Sequence, residues 1–340
     1  MKALVFREPN NMVVDDVPDP VIEPDEVLLK SKACGICRSD FDLLQGDYII
    51  PLHWPIIPGH EYSGEIVEVG KQVTGYKVGD RVVGECAVGC GTCELCTSGK
   101  VNACPTGDHF GFTIDGAFAE YVKVKASWLH RLPDNLSFIE GALVEPFTVG
   151  YYALEHIGGV DGSHTVLVMG AGVIGLSTLL ASKGKGARTI VVDNQQKRLQ
   201  AALDIGADGV INTSDTDLVE AVMEQTGGNG ADVVVEAVGV DPLMQKLFDV
   251  VCSTGRVSIT GLNFNDRLEV PLHKITAKEL HVRGNIGSPF VWDRALKFLS
   301  NVKPDLAKLC THEYSLDQAH EAFEMANNPG EAIKVQIRPG

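Results

Sequence analysis

Four cysteines, Cys90, Cys93, Cys96 and Cys104, stand with two, two and seven residues between them. Four thiolates on one short loop can close a tetrahedron around zinc at about 2.3 Å each and leave no position open, which marks a structural site. An iron–sulfur cluster is the second reading, because Cys104 precedes Pro105 as in ferredoxin runs. The long last gap and the lack of a second cluster motif weigh against it. Cys86, just upstream, reads as a buried bystander.

A second constellation is looser. Cys34-Gly35-Ile36-Cys37-Arg38-Ser39-Asp40 is followed by Gly59-His60-Glu61 and, much later, by Glu145-Pro146. One Cys, one His and one or two carboxylates can hold a catalytic zinc and leave a position for substrate. A CxxC redox pair is another reading, although no thioredoxin-like βαβ pattern surrounds it. Spacing alone also fits an ordinary core histidine at His60 and a surface acid at Glu61.

The third signal lies in Thr165–Met169, an apolar strand that runs straight into Gly170-Ala171-Gly172-Val173-Ile174-Gly175 and then a helix-like stretch to Lys183. The first glycine permits the tight turn, the second admits a pyrophosphate, and the third lets helix and strand pack closely. The helix N-terminus offers free N–H groups to phosphate. Asp193 closes the next strand, where its carboxylate can accept from a ribose diol. It would face a 2′-phosphate as like charge, and Asn194-Gln195-Gln196-Lys197-Arg198 puts no arginine directly after it. NAD is therefore expected over NADP, with Arg198 among the cofactor-binding residues.

These motifs need elements to hold them. Residues 1 to about 150 read as mostly β, with runs such as Glu26–Lys32, Glu65–Val69, Arg81–Gly84 and Phe118–Val124 between Gly- and Pro-rich turns. Beyond them, six apolar strands alternate with helix-length segments: His164–Met169, Thr189–Asp193, Gly209–Asn212, Asp232–Glu236, Arg256–Thr260 and Leu280–Asn285. That alternation predicts an α/β, doubly wound parallel sheet. Helices near Val291–Ser300 and Leu316–Ala326 and a strand at Ala332–Ile337 follow.

Composition bounds the rest. The 340 residues suit two domains, and 44% apolar with 22% charged residues excludes disorder and a simple coiled coil. A net charge of −16 without a basic patch argues against nucleic acid and anionic membrane. The first residues lack the apolar core of a signal peptide, and no apolar run approaches a membrane span. Nine cysteines, an odd number, speak for metal or thiol chemistry rather than a disulfide framework. The expected setting is cytoplasmic.

Taken together, the chain resembles the zinc-containing medium-chain alcohol dehydrogenases over essentially its whole length. The matching stretches are Cys34–Asp40, Gly59–Gly70, Val78–Val82, the four-cysteine lobe, Gly116–Tyr121 and the nucleotide fingerprint. The resemblance implies a GroES-like β-rich catalytic domain at 1–150 with a structural zinc lobe at 86–105. A Rossmann NAD-binding domain at 151–287 and a segment at 288–340 returning to the catalytic domain complete it. The run Gly141–Gly150 resembles the sorbitol and polyol dehydrogenase branch, with Glu145 where ethanol-type enzymes have cysteine.

By that resemblance Cys37, His60 and Glu61 are zinc ligands, and Glu145 binds the metal or holds its water, with Glu61 and Glu145 able to exchange. Asp40 orients His60, and Ser39 takes the substrate proton. Asp42 stands where many relatives carry a relay histidine. Two zincs per chain, NAD, a small polar alcohol as substrate and a homodimer or homotetramer are implied. The expected site is the cleft between the domains, with Tyr48, Phe110 and Asn285–Ser288 on its walls. Rivals are an L-threonine dehydrogenase-like oxidation of an amino alcohol, a zinc-free quinone or enoyl reductase, and a zinc-binding, NAD-sensing interaction protein.

Overall fold

The computed structural model describes residues 1–48, 50, 52–265 and 267–340. The chain divides into two compact units, Met1–Glu145 with Trp292–Gly340, and Pro146–Val291. The sequence reading set the joints at 150/151 and 287/288. The helix Val144–Glu155 runs through the first joint, so neither turn residues nor a change of composition marks it.

The first unit is built on antiparallel strands. β1 (Lys2–Glu8) and β2 (Asn11–Asp16) make a hairpin. β3 (Glu26–Gly35), β4 (Glu61–Val69) and β5 (Arg81–Gly84) follow. β6 (Ala87–Val88) pairs with β7 (Asp108–His109) at the base of the cysteine lobe. β8 (Tyr121–Lys125) lies against β3, and β9 (Leu129–Arg131) against β5. Val27, Leu29, Ile66, Val82, Val122 and Phe118 are buried in one cluster, the inward set of alternating strand positions.

The second unit carries β10 (Thr165–Met169), β11 (Arg188–Asp193), β12 (Gly209–Asn212), β13 (Ala231–Glu236), β14 (Val251–Ile259) and β15 (His281–Gly284). They form one parallel sheet in the order β12-β11-β10-β13-β14-β15. The chain reverses direction across the sheet between β10 and β13, which makes a switch point at their carboxyl ends. Burial of Val166 through Met169 on consecutive positions reflects a sheet covered on both faces.

The tail then rejoins the first unit through the helix Trp292–Val302, β16 (Cys310–Ser315), the helix Ala319–Ala326 and β17 (Lys334–Arg338). The sheet there runs β16-β17-β3-β4-β5-β9. β16 escapes a sequence reading because its alternation is of polar and half-buried residues, CTHEYS. The expected strand Phe118–Val124 is shifted to Tyr121–Lys125, since Ala119 bridges to Ala3 instead. The expected helix Leu316–Ala326 is a short 3₁₀ turn, Leu316–Gln318, followed by the helix proper. Among the described residues, no helix is long and apolar enough to cross a membrane.

Candidate active site

β3 ends at Gly35, and Cys37 caps the helix Arg38–Gln45 that follows. The Cys37 N–H donates to Asp40 Oδ2 at 2.8 Å, so the helix start is fixed by Asp40 from the third helical position. The other Asp40 oxygen lies 3.6 Å from His60 Nδ1, with both side chains buried. That orientation leaves Nε2 of His60 as the ring atom for a ligand.

Glu61 sits opposite Gly35 in the β3–β4 ladder. A Cβ at Gly35 would stand 2.1 Å from Glu61 Oε2, so only glycine admits the carboxylate there. Glu61 Oε2 is buried and makes no hydrogen bond. Cys37, His60 and Glu61 each bring a ligand atom within 4.8 Å of the others. A thiolate, an imidazole and a carboxylate at that separation are a donor set that fits a zinc ion.

Glu145 is not one of these three. It stands in the first turn of Val144–Glu155. Its carboxyl is pushed up to about 7, first by burial, then by Glu61 and Asp40 against the opposing pull of His60 and Lys334. Ser39, half-buried, occupies the first turn of Arg38–Gln45. Asp42 follows one turn later, 3.6 Å from the Arg38 guanidinium. Burial, together with Asp47 and Asp40, raises its carboxyl despite Arg38.

Two groups were invisible to the spacing argument. Lys334, at the start of β17, donates to Glu61 Oε1 at 2.7 Å. Cys86, expected to be a buried bystander, faces the site. Burial pushes its thiol up to about 12, and its charge interactions fall on His60, Glu145, Cys37 and Asp40. The aromatic neighbour of the site also differs from expectation. Phe112, with Tyr48 stacked on it at 5.0 Å, lies 4.9 Å from the His60 ring. Phe110 is fully buried and stacks on Tyr62 at 4.6 Å, behind that layer. Asn285 and Ser288 are tied into the second unit, to Thr260 and Thr148.

The lobe thiols of Cys90, Cys93, Cys96 and Cys104 also converge within 4.8 Å. Cys93 Sγ lies 3.8 Å from Cys104 Sγ, and Cys90 Sγ 4.0 Å from Cys96 Sγ. A tetrahedron with Zn–S bonds of about 2.3 Å has edges of about 3.8 Å, so the cage fits zinc. Backbone N–H groups of Cys90, Cys93 and Cys96 each point at a lobe sulfur at 3.4 Å, which favours thiolates.

In the second unit Gly170 takes φ 103°, and a Cβ on Gly175 would stand 1.8 Å from the Gly170 carbonyl oxygen. At Gly172 an added Cβ would meet only Arg198 Nη1, at 3.8 Å. The backbone at Gly172 is therefore uncrowded, and the start of the helix Val173–Gly184 has no side-chain cap. Val173 and Ile174 form its first turn. Asp193 Oδ2 accepts from the Ala171 N–H at 2.7 Å and Oδ1 from the Gln195 N–H at 2.8 Å. These features fit a dinucleotide: open backbone N–H groups for pyrophosphate and a fixed carboxylate for a ribose.

Comparison with known proteins gives the same picture. Residues 23–134 match the model of the alcohol dehydrogenase GroES-like domain, and residues 173–301 that of the zinc-binding dehydrogenases. The sorbitol dehydrogenase of Bacillus subtilis (strain 168) is 36% identical over 346 residues, covering 100% of this chain and 97% of its own. A solved protein of Sinorhizobium meliloti 1021, described as a zinc-binding dehydrogenase and bound to NADP, superposes with a TM-score of 0.94 at 32% identity over 99% of both chains. The 2R,3R-butanediol dehydrogenase of Bacillus subtilis superposes at 0.91, 32% identical over 100% of this chain and 99% of its own.

Proposed function

Because the chain belongs to the zinc-containing alcohol dehydrogenase family, we propose that it is an NAD-dependent polyol dehydrogenase, oxidising a secondary hydroxyl of a polyhydroxylated alcohol. The observation that carries the reading is the convergence of Cys37, His60 and Glu61 within 4.8 Å. The polyol class is supported by the full-length similarity to a sorbitol dehydrogenase. A short vicinal diol is the second reading, favoured by the similarity to a butanediol dehydrogenase.

Cys37, His60 and Glu61 would hold the catalytic zinc, with Glu145 able to replace Glu61 or to hold the zinc's water, and the four lobe cysteines a structural zinc. When bound, zinc supplies a Lewis acid that acidifies the substrate hydroxyl, and NAD a hydride acceptor. Asp40 keeps the His60 ring turned with Nδ1 toward itself. Ser39 Oγ takes the hydroxyl proton and passes it toward the Asp42 carboxylate, one helical turn on. Phe112 covers a face of His60 and excludes water from it. Gly170, Gly172, Val173, Ile174 and Gly175 would cradle the pyrophosphate, while Asp193 and Arg198 would hold the adenosine end.

We assign catalysis to the Met1–Glu145 and Trp292–Gly340 unit and NAD to the other, in a cytoplasmic homodimer or homotetramer. The reading is tested by NAD reduction with D-sorbitol, xylitol, D-arabitol, L-idonate, 2,3-butanediol, L-threonine and 2-propanol. A polyol should lead 2-propanol by as much as about 10⁴ in kcat/KM, because a site built for several hydroxyls leaves polar groups unpaired without them. Preference for 2,3-butanediol selects the second reading, and turnover of L-threonine or 2-propanol alone overturns both.

A further inference from the structure

The ammonium of Lys334 is buried, 3% exposed, in a strand that begins 273 residues after Glu61. Its Nζ lies 2.7 Å from both Glu61 oxygens and donates to Oε1. It also donates to the Ile36 carbonyl at 2.7 Å. The backbone holds this geometry: β17 pairs with β3 at Gln336–Gly35, and the Ile36 N–H donates to the Val335 carbonyl at 2.9 Å. The absence of a side chain at Gly35 leaves the space that the carboxylate occupies, since a Cβ there would stand 2.1 Å from Oε2. Glu61 is therefore shared in advance with a fixed, buried cation.

We propose that Lys334 is a positioning residue that weakens and releases Glu61 as a metal ligand. The inference rests on the reading of Cys37, His60 and Glu61 as the zinc-binding set. Two physical effects act together. The ammonium occupies lone-pair directions that a metal would use, and its charge, at contact distance in a buried setting, opposes the approach of a divalent cation to the same carboxylate. Glu61 is left as the exchangeable member of the set, able to leave the metal while its charge stays compensated. Without Lys334 the buried carboxylate has the metal as its sole counter-charge and grips it.

The test uses the full-length enzyme, with zinc in the structural lobe and zinc or cobalt(II) in the catalytic position. Metal affinity is measured by competition with a chromophoric chelator at pH 8, and coordination by the visible spectrum of the cobalt form. In Lys334→Met the catalytic metal should be held on the order of tenfold tighter or more. The cobalt bands should shift, and kcat should fall with KM little changed. Lys334→Arg should return affinity and spectrum to near the wild-type values.

In a Glu61→Gln background, adding Lys334→Met should raise affinity far less than it does in the wild-type background, since the carboxylate is gone and only the ammonium's own repulsion of the metal is relieved. This double variant removes both charges and remains testable where Lys334→Met alone fails to fold. Unchanged affinity and spectrum in Lys334→Met, or an equally large gain in the Glu61→Gln background, overturns the inference. His60→Ala separates the two levels. If it keeps the full metal complement, the ligand reading fails; if it loses one metal while Lys334→Met behaves as wild type, only the role of Lys334 fails.

Discussion

Asp193 Oδ2 accepts the Ala171 N–H at 2.7 Å, so the acid at the end of β11 is bonded to the middle of the glycine turn after β10. With Oδ1 accepting the Gln195 N–H, one carboxylate ties the glycine turn to the segment that follows β11. Its remaining lone pairs suit ribose hydroxyls and oppose a 2′-phosphate.

NAD should therefore exceed NADP by on the order of 10² or more in kcat/KM, the equivalent of a few kcal/mol of like-charge repulsion. Asp193→Asn should narrow the ratio while lowering NAD affinity, since it weakens the turn as well as the ribose contact. Initial rates with both cofactors decide it. The neighbour solved with NADP makes the comparison pointed, and equal or better rates with NADP would reject the role given to Asp193.

The cysteine lobe should stabilise without taking part in turnover. Four thiolates leave no coordination position for substrate, and metal binding there is coupled to folding of the lobe. Cys93→Ser should lose one zinc, melt at lower temperature and give less folded protein, while the surviving fraction keeps its turnover per catalytic zinc. A variant as stable as wild type that loses only activity contradicts this.

These two candidate sites could be read from the sequence for a simple reason: each is written in one short run. Gly170 to Gly175 and Cys90 to Cys104 fold on themselves, so spacing carries geometry. The proposed catalytic set is different in kind. Cys37 and Glu61 meet because β3 and β4 pair at Gly35–Glu61, a register that no local pattern specifies. Lys334 arrives from the far end of the chain through the pairing of β17 with β3, and a lone lysine within the expected strand Ala332–Ile337 carries no sign of its partner. Cys86 looked inert because the charged groups it faces, His60, Glu145, Cys37 and Asp40, lie far from it in sequence. Phe110 and Phe112, two residues apart, exchange roles between core and site wall through a turn in which Phe112 N–H donates to the His109 carbonyl.

His60→Ala should remove one zinc per chain and abolish alcohol oxidation while NAD affinity stays within a few-fold of wild type. Asp40→Asn tests the support behind it. The carboxylate holds both the Cys37 N–H and the His60 ring, so its loss should cost about 10- to 100-fold in metal affinity or activity. Metal analysis beside NADH fluorescence titration reads both. Full activity in His60→Ala, or in enzyme stripped of zinc, refutes the assignment.

The final prediction concerns how the proton leaves. Ser39 and Asp42 are three residues apart on the helix Arg38–Gln45, hence neighbours on one face, with Ser39 nearer Cys37. A hydroxyl that receives the proton in the reacting step should matter more than a carboxylate that passes it on. Positioned proton transfer contributes about 10² to 10⁴; Ser39→Ala should lose an amount in that range, and Asp42→Asn should lose less, with added imidazole restoring part of it. The sign of the pH effect follows from the Asp42 carboxyl, which burial holds above the ordinary carboxylate value. It can accept a proton only when ionised, so oxidation through it is available above that raised pKa and fades as pH falls through it. Asp42→Asn should lack this acid limb while starting from a lower plateau. Profiles of kcat against pH for the two enzymes, with a slowly oxidised substrate so that chemistry limits the rate, decide the matter. Superimposable profiles would mean that the proton leaves Ser39 through water and that Asp42 serves only its contact with Arg38.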